Sequence, residues 1–150
     1  MGMRIFLGIL GVVIGIVGGM IFMMSLHMAS TYVYPLPEGV SFTSQEPDNV
    51  EKLREWFSTL PAGAFALAIV CHGLGCMAGA FVASLISGRR SMIPAWFVGA
   101  FFTVGGIANL FNIPHPPWFP FADLPVYLIL ATVAGRLLLR PDDQKISAQS

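Results

Sequence analysis

Four stretches of the chain, residues 5–29, 61–87, 92–113 and 121–139, are long, apolar and almost free of charge. A helix needs about 20 apolar residues to cross a hydrocarbon core about 30 Å thick, and a water-soluble core of this size has no use for four such runs. The expected fold is therefore all-α, a four-helix transmembrane bundle forming a single integral membrane domain over residues 1–150. Composition points the same way. Only 11% of residues are charged, against roughly 25% in a soluble domain, so a solvated surface cannot be built from them. Zero net charge without a basic run excludes a nucleic-acid partner and leaves the lipid bilayer as the expected one. Cys71 and Cys76 share one apolar run, which is not the pattern of a disulfide framework.

Orientation follows from the placement of Lys and Arg, which accumulate in cytoplasmic segments. Arg4, Arg89, Arg90, Arg136, Arg140 and Lys145 fall on one side of a four-span layout, and only Lys52 and Arg54 on the other. Both termini are expected in the cytoplasm, with residues 140–150 as a cytoplasmic tail. The first run is too long for the roughly 7 to 15 apolar residues of a signal peptide and reads as an uncleaved anchor. The start Met1-Gly2-Met3-Arg4-Ile5-Phe6 also lacks the Ser or Thr of a myristoylation site. Trp56 and Trp118 should mark the outer interface and Trp96 the inner one.

The outer loop, residues 30–60, contains Tyr34-Pro35-Leu36-Pro37-Glu38-Gly39, which should be extended because each proline disfavours helix in the residue before it. A short amphipathic helix should follow, capped by Asp48 with Glu51 completing a capping box. Val50, Leu53, Trp56, Phe57 and Leu60 share one arc, while Glu51, Lys52, Glu55 and Ser58 face away. Such a helix lies on the outer membrane surface or across the mouth of the bundle.

Lipid tails are as apolar as leucine, so spans associate where small residues let backbones approach. Gly8, Gly11, Gly15 and Gly19 form a stripe on the first span, and Gly75, Gly79, Ala83 and Ser87 a ladder on the second; the fourth offers Ala131 and Gly135. Val70, Leu74, Met77, Phe81 and Leu85 on the other face of the second span are expected to meet lipid. A Val-Gly-Gly step in spans one and three (Val17-Gly18-Gly19 and Val104-Gly105-Gly106), and Leu-Pro at the start of spans two and four, hint at a duplicated hairpin.

Polar side chains at membrane depth are functional candidates by default. Here they are His27, His72, Asn109, Asn112, His115 and Asp123. Counting from the nearest arginine at about 1.5 Å per residue places His72, Asn109 and Asp123 at one level and His27 and Asn112 roughly 5 to 9 Å further out. His72 lies on the stripe of Cys76, Gly79 and Ala83, and Asn109 with Gly105, Gly106 and Asn112, so both should face the interior; His27 lies about 120° from the glycine stripe. Each also has a structural reading: His72, Asn109 and Asn112 as inter-helix hydrogen-bond donors, and Asp123 as the N-cap of span four with Pro125 in its first turn. No haem-attachment, zinc-helix or nucleotide-loop motif is present. His72 with Cys76 makes only half a zinc site, and the depth difference argues against His27 and His72 sharing a haem. No cofactor, metal or catalytic residue is expected.

Tyr34-Pro35-Leu36-Pro37-Glu38-Gly39, the Gly88-Arg89-Arg90 turn and the run Gly105-Gly106-Ile107-Ala108-Asn109-Leu110-Phe111-Asn112-Ile113-Pro114-His115-Pro116-Pro117-Trp118-Phe119 resemble a family of small uncharacterised bacterial four-span membrane proteins. The resemblance covers most of residues 5–139. It implies a bacterial cytoplasmic membrane and supplies no ligand, activity or catalytic residue. Two functions remain in view. The first is a non-enzymatic structural or accessory subunit, packing with itself or within a larger membrane complex through Gly11, Gly15, Gly75, Gly79 and Ala83. The second is binding or transport of a small solute, ion or lipid through an outer-leaflet cavity built from His72, Asn109, Asn112, Asp123 and His27. A cavity lined by His72, Asn109 and Asp123 would favour the second.

Overall fold

A computed structural model describes residues 2–41, 44, 46–88 and 91–139. Arg89, Arg90, Arg140, Lys145 and the 140–150 tail lie outside the described residues. Every regular element among those described is helical: α1 (Gly2–Ser30), α2 (Pro47–Thr59), α3 (Ala62–Ile86), α4 (Ile93–Leu110) and α5 (Phe119–Leu138). Helices α1, α3, α4 and α5 are each long and apolar enough to cross a membrane, so the chain is a multi-pass, four-helix bundle with one extra short helix. Helix α4 stops at Leu110, before the expected 113, where Ile113 precedes a run of prolines. Helix α5 starts at Phe119 rather than 121, with Pro120 in its first turn, where no backbone N–H is needed.

Helix α3 is the hub: it packs on α1, α5 and α4, while α4 packs on α5 and α1 leans only lightly on α4. The α1–α3 contact is a backbone seam. A Cβ placed on Gly11 would sit 2.7 Å from the Ala83 carbonyl oxygen, one on Gly15 2.5 Å from that of Gly79, and one on Gly19 2.8 Å from that of Gly75. These pairs step down α1 and up α3 together, as antiparallel helices in fixed register require. The α4–α5 seam works similarly, with Gly99 against Ala131 and Gly135 against Ala95 and Met92. The two Val-Gly-Gly steps are used alike. Gly19 and Gly106 are tightly packed, while Gly18 and Gly105 face open space. Gly8 also has nothing near its Cβ position, so the seam begins at Gly11.

Val70, Phe81 and Leu85 face outward as expected. Leu74 and Met77 do not: both are half-buried, and Met77 packs against the core formed by Cys76, Ala80, Val98, Phe102, Tyr127 and Ala131. Met77 and Leu74 follow Cys76 and Gly73 onto flanks that α3, with three helical neighbours, cannot leave to lipid. The outer face of α1, with Ile5, Ile9, Val13, Val17 and Ile21 more than half exposed, is the kind of surface only a bilayer covers. Between α3 and α4 the chain turns at Gly88, whose φ of 88° only glycine adopts without strain.

Helix α2 has the expected polarity: Val50, Leu53, Trp56, Phe57 and Leu60 are half-buried, while Glu51, Lys52, Glu55 and Ser58 are exposed. Its start differs. The N-cap is Glu46, which makes no side-chain cap, and Asp48 lies inside the first turn, where it pairs with Lys52 at 2.7 Å rather than closing a capping box. Pro47 accounts for this, because its fixed φ already begins the helix one residue before Asp48. Buried Asn49 ties the loop down by accepting from the Ser41 N–H (2.8 Å) and donating to the carbonyls of Ser41 (2.8 Å) and Ser44 (3.0 Å).

Candidate functional site

At the end of the bundle that carries the α1–α3 loop, the spans enclose a cavity of about 420 Å³. Met20, Met23, Met24 and His27 of α1 form one wall, and Phe101, Phe102, Gly105, Gly106 and Asn109 of α4 the other. Trp56 and Phe57 of α2, His115 of the α4–α5 turn, and His72, Tyr127 and Phe119 complete the lining. That lining is mostly apolar and aromatic with a few polar groups, the usual make-up of a small-molecule site.

Asp123 itself does not line the cavity but stands behind it, joining two residues that do. His72 Nδ1 lies 2.7 Å from Asp123 Oδ1, and the Tyr127 hydroxyl donates to Asp123 Oδ2 at 3.1 Å. Asp123 is 1% exposed and His72 8%. Asp123 and Tyr127 are four residues apart, so α5 presents both on one face. One turn below His72, the Cys76 thiol donates to the Tyr127 carbonyl oxygen at 3.3 Å and binds the same stretch of α5 to α3. Aromatic contacts fix the imidazole plane: it stacks on Tyr127 (centroids 5.8 Å apart) and meets the Phe119 ring edge-on at 6.3 Å. His115 stacks on Phe119 at 4.5 Å, and its burial pushes the imidazole below its ordinary pKa, towards the neutral form.

Asp123 is thus not the N-cap of the fourth span. Helix α5 begins four residues earlier, with Trp118 at the cap position, and the carboxylate points sideways into the bundle. Prolines Pro116, Pro117 and Pro120 had drawn the expected start too late. His27 is also corrected. Its ring lies 5.0 Å from that of His72, edge to face, although the seam register sets their backbones about 7 to 8 Å apart along the axis. Side chains lean towards the N-terminus of their own helix, and in antiparallel α1 and α3 that tilts the two rings towards each other. The angular offset of His27 from the glycine stripe turns it to the α4 flank, which is where the cavity is.

Asn109 lines the cavity as expected, but makes no direct hydrogen bond to His72. Asn112 does not belong to the site: it is exposed beyond the end of α4, and its side-chain amide donates to the Ala108 carbonyl at 2.9 Å. Tyr127 escaped the sequence reading, though its spacing from Asp123 is the helical i, i+4 step that could have found it. The methionines of α1 gave no signal, since a Met on an apolar span is usually lipid-facing. Among the described residues, no three His, Cys, Asp or Glu side chains are grouped to hold a metal ion.

The chemistry of the His72–Asp123 pair narrows what the cavity can recognise. Asp123 engages Nδ1, so Nε2 is the ring nitrogen left for a ligand. It has no protein partner among the described residues, and His72 lines the cavity, so the site offers a positioned polar ring atom for one hydrogen bond.

The cavity is also open sideways. Met20, Met24 and Phe101 line it and are nonetheless 46%, 45% and 47% exposed, and Gly105 leaves space beside them. The gap between α1 and α4 therefore joins the cavity to the region that lipid occupies. Compared with known proteins, the chain matches no family model, no curated relative and no solved structure.

Proposed function

We propose that this is a non-enzymatic binding protein of a bacterial cytoplasmic membrane that takes an uncharged amphiphile from the outer leaflet, gripping a carbonyl-type oxygen with His72. The observation that carries the reading is the Asp123-anchored imidazole in the wall of an apolar cavity that opens towards lipid. Met20, Met23, Phe102 and Phe119 suit a flat or flexible apolar body, and His27 and Asn109 are further polar partners for its head. The role that the sequence puts first, assembly through the glycine faces, has less to rest on, because Gly11, Gly15, Gly19, Gly75 and Gly79 are already occupied within the chain.

A pair of probes that differ only in carbonyl oxygens tests this. 2,3-Dimethyl-1,4-naphthoquinone should raise the melting temperature of the purified chain in mild detergent clearly more than 2,3-dimethylnaphthalene at equal concentration. A hydrogen bond from a charged or polarised donor is worth about 1.5 to 3 kcal/mol, or roughly tenfold or more in affinity. His72→Phe should abolish the difference between the probes while leaving the hydrocarbon's effect. Equal shifts by both probes in the natural chain, or a difference that survives His72→Phe, would sink the proposal.

The orientation belongs to the same proposal and rests on the arginine distribution in the sequence. Cys71 and Cys76 are 4% and 0% exposed, so they form a silent background for labelling. Ser58→Cys, on exposed α2, should react with an impermeant maleimide on intact cells, and Ser91→Cys, in the α3–α4 turn, only after permeabilisation. The opposite pattern would place the cavity in the inner leaflet.

A further inference from the structure

Helices α1 and α4 approach where the Phe102 ring meets Gly19, and both helices line an opening on either side of that contact. The opening towards the loop end is the cavity described above. The opening towards the terminal end is a second, larger groove of about 810 Å³, bounded by Ile5, Gly8, Ile9 and Val13 of α1 and by Ile93 and Phe97 of α4. Its walls are almost wholly apolar and it is open to the side. From Ile5 to Val13 the helix rises about 12 Å, close to the depth of one leaflet of a bilayer core about 30 Å thick.

The only charged side chain lining the groove among the described residues is Arg4, at its outer rim. Across from it the rim is formed by Ser87, Gly88 and Ser91. Among the described residues no acidic side chain lines the groove, and Arg4 has no ion-pair partner. An apolar trough about one leaflet deep, with an unneutralised cation at the headgroup level, suits a lipid of net negative charge better than a zwitterionic one.

We infer that the α1–α4 groove at the terminal end is a binding site for an anionic phospholipid of that leaflet, with acyl chains along Ile5 to Val13 and the phosphate at Arg4. The site is separate from the His72 cavity, since the Gly19–Phe102 contact stands between them. A membrane helix of a second copy would fit the apolar trough but would bring nothing for Arg4.

The test uses the full chain in mild detergent, exposed to an equimolar mixture of dioleoylphosphatidylglycerol and dioleoylphosphatidylcholine and examined by native mass spectrometry. The glycerol lipid should be retained at least threefold over the choline lipid. Arg4→Gln should bring that ratio close to one. Gly8→Trp fills the groove from a position where a Cβ meets nothing within 4 Å, and should reduce retention of both lipids without disturbing the seam. If that variant does not fold, Val13→Trp, at an exposed groove position, replaces it. Equal retention of the two lipids by the natural chain would overturn the inference. So would a Gly8→Trp or Val13→Trp chain that holds lipid as before, or a mass showing a second copy in place of lipid.

Discussion

Gly79→Leu should prevent a stable bundle from forming, whereas Gly18→Leu on the facing helix should be tolerated. A Cβ on Gly79 would lie 2.6 Å from the Gly15 carbonyl oxygen, and a backbone atom cannot swing aside as a side chain can. To admit leucine, α1 would have to leave α3 along its whole length. Overpacking a well-filled contact typically costs 1 to 3 kcal/mol, and the loss of a complete helix contact should exceed about 3 kcal/mol. Gly18 differs only in facing open space, so its replacement adds lipid-facing surface and nothing else. The measurement is the melting temperature and monodispersity of each purified variant in detergent. If both behave like the natural chain, the seam is not what holds α1.

Asp123→Ala should produce the other large effect. It strips His72 and Tyr127 of a shared buried acceptor, and breaking such a pair from one side typically costs 3 to 5 kcal/mol. A cap lost from a helix end would cost about 1 kcal/mol and would not depend on His72 at all. The double variant His72→Phe with Asp123→Leu separates stability from function. With neither charge nor orphaned donor left on that pair, it should recover at least half of the lost stability and still fail to distinguish the naphthoquinone from its hydrocarbon. Additive losses in thermal unfolding would show that the two residues are not coupled, and the site would lose its centre.

The features most legible in the sequence were those that depend on periodicity alone. Length and hydropathy placed all four spans, spacing placed the glycines of the seam, and the apolar arc of α2 was readable from Val50 to Leu60. His72 and Asn109 were assigned to the interior because small residues share their stripes. What failed depended on how one element meets another. Asp123 looked like a cap because Pro125 follows it, but the helix start was set by Pro120 and the capping position fell on Trp118. His27 looked too distant from His72 because a count of backbone rise omits the opposed lean of side chains in antiparallel helices. Asn112 looked like an outer layer on the same face as Asn109, yet α4 ends between them. Asp48 looked like a cap until Pro47 began the helix before it.

The glycine seam also leaves a question of alignment that its own residues do not answer. A ladder of small residues repeating every four positions is nearly blind to a slide of one helical turn. Moved that far, Gly15 would face Ala83 and Gly19 would face Gly79, with small residues still opposite one another. The features that tell the two alignments apart lie at the ends, where Met23 seats against Gly75, Ile86 lies beside Gly11, and the His27 ring meets His72. A slide of one turn, about 6 Å, would break all three. The seam thus behaves as a rail and the histidine contact as its stop, so the histidines that line the cavity also index the first span against the rest of the bundle.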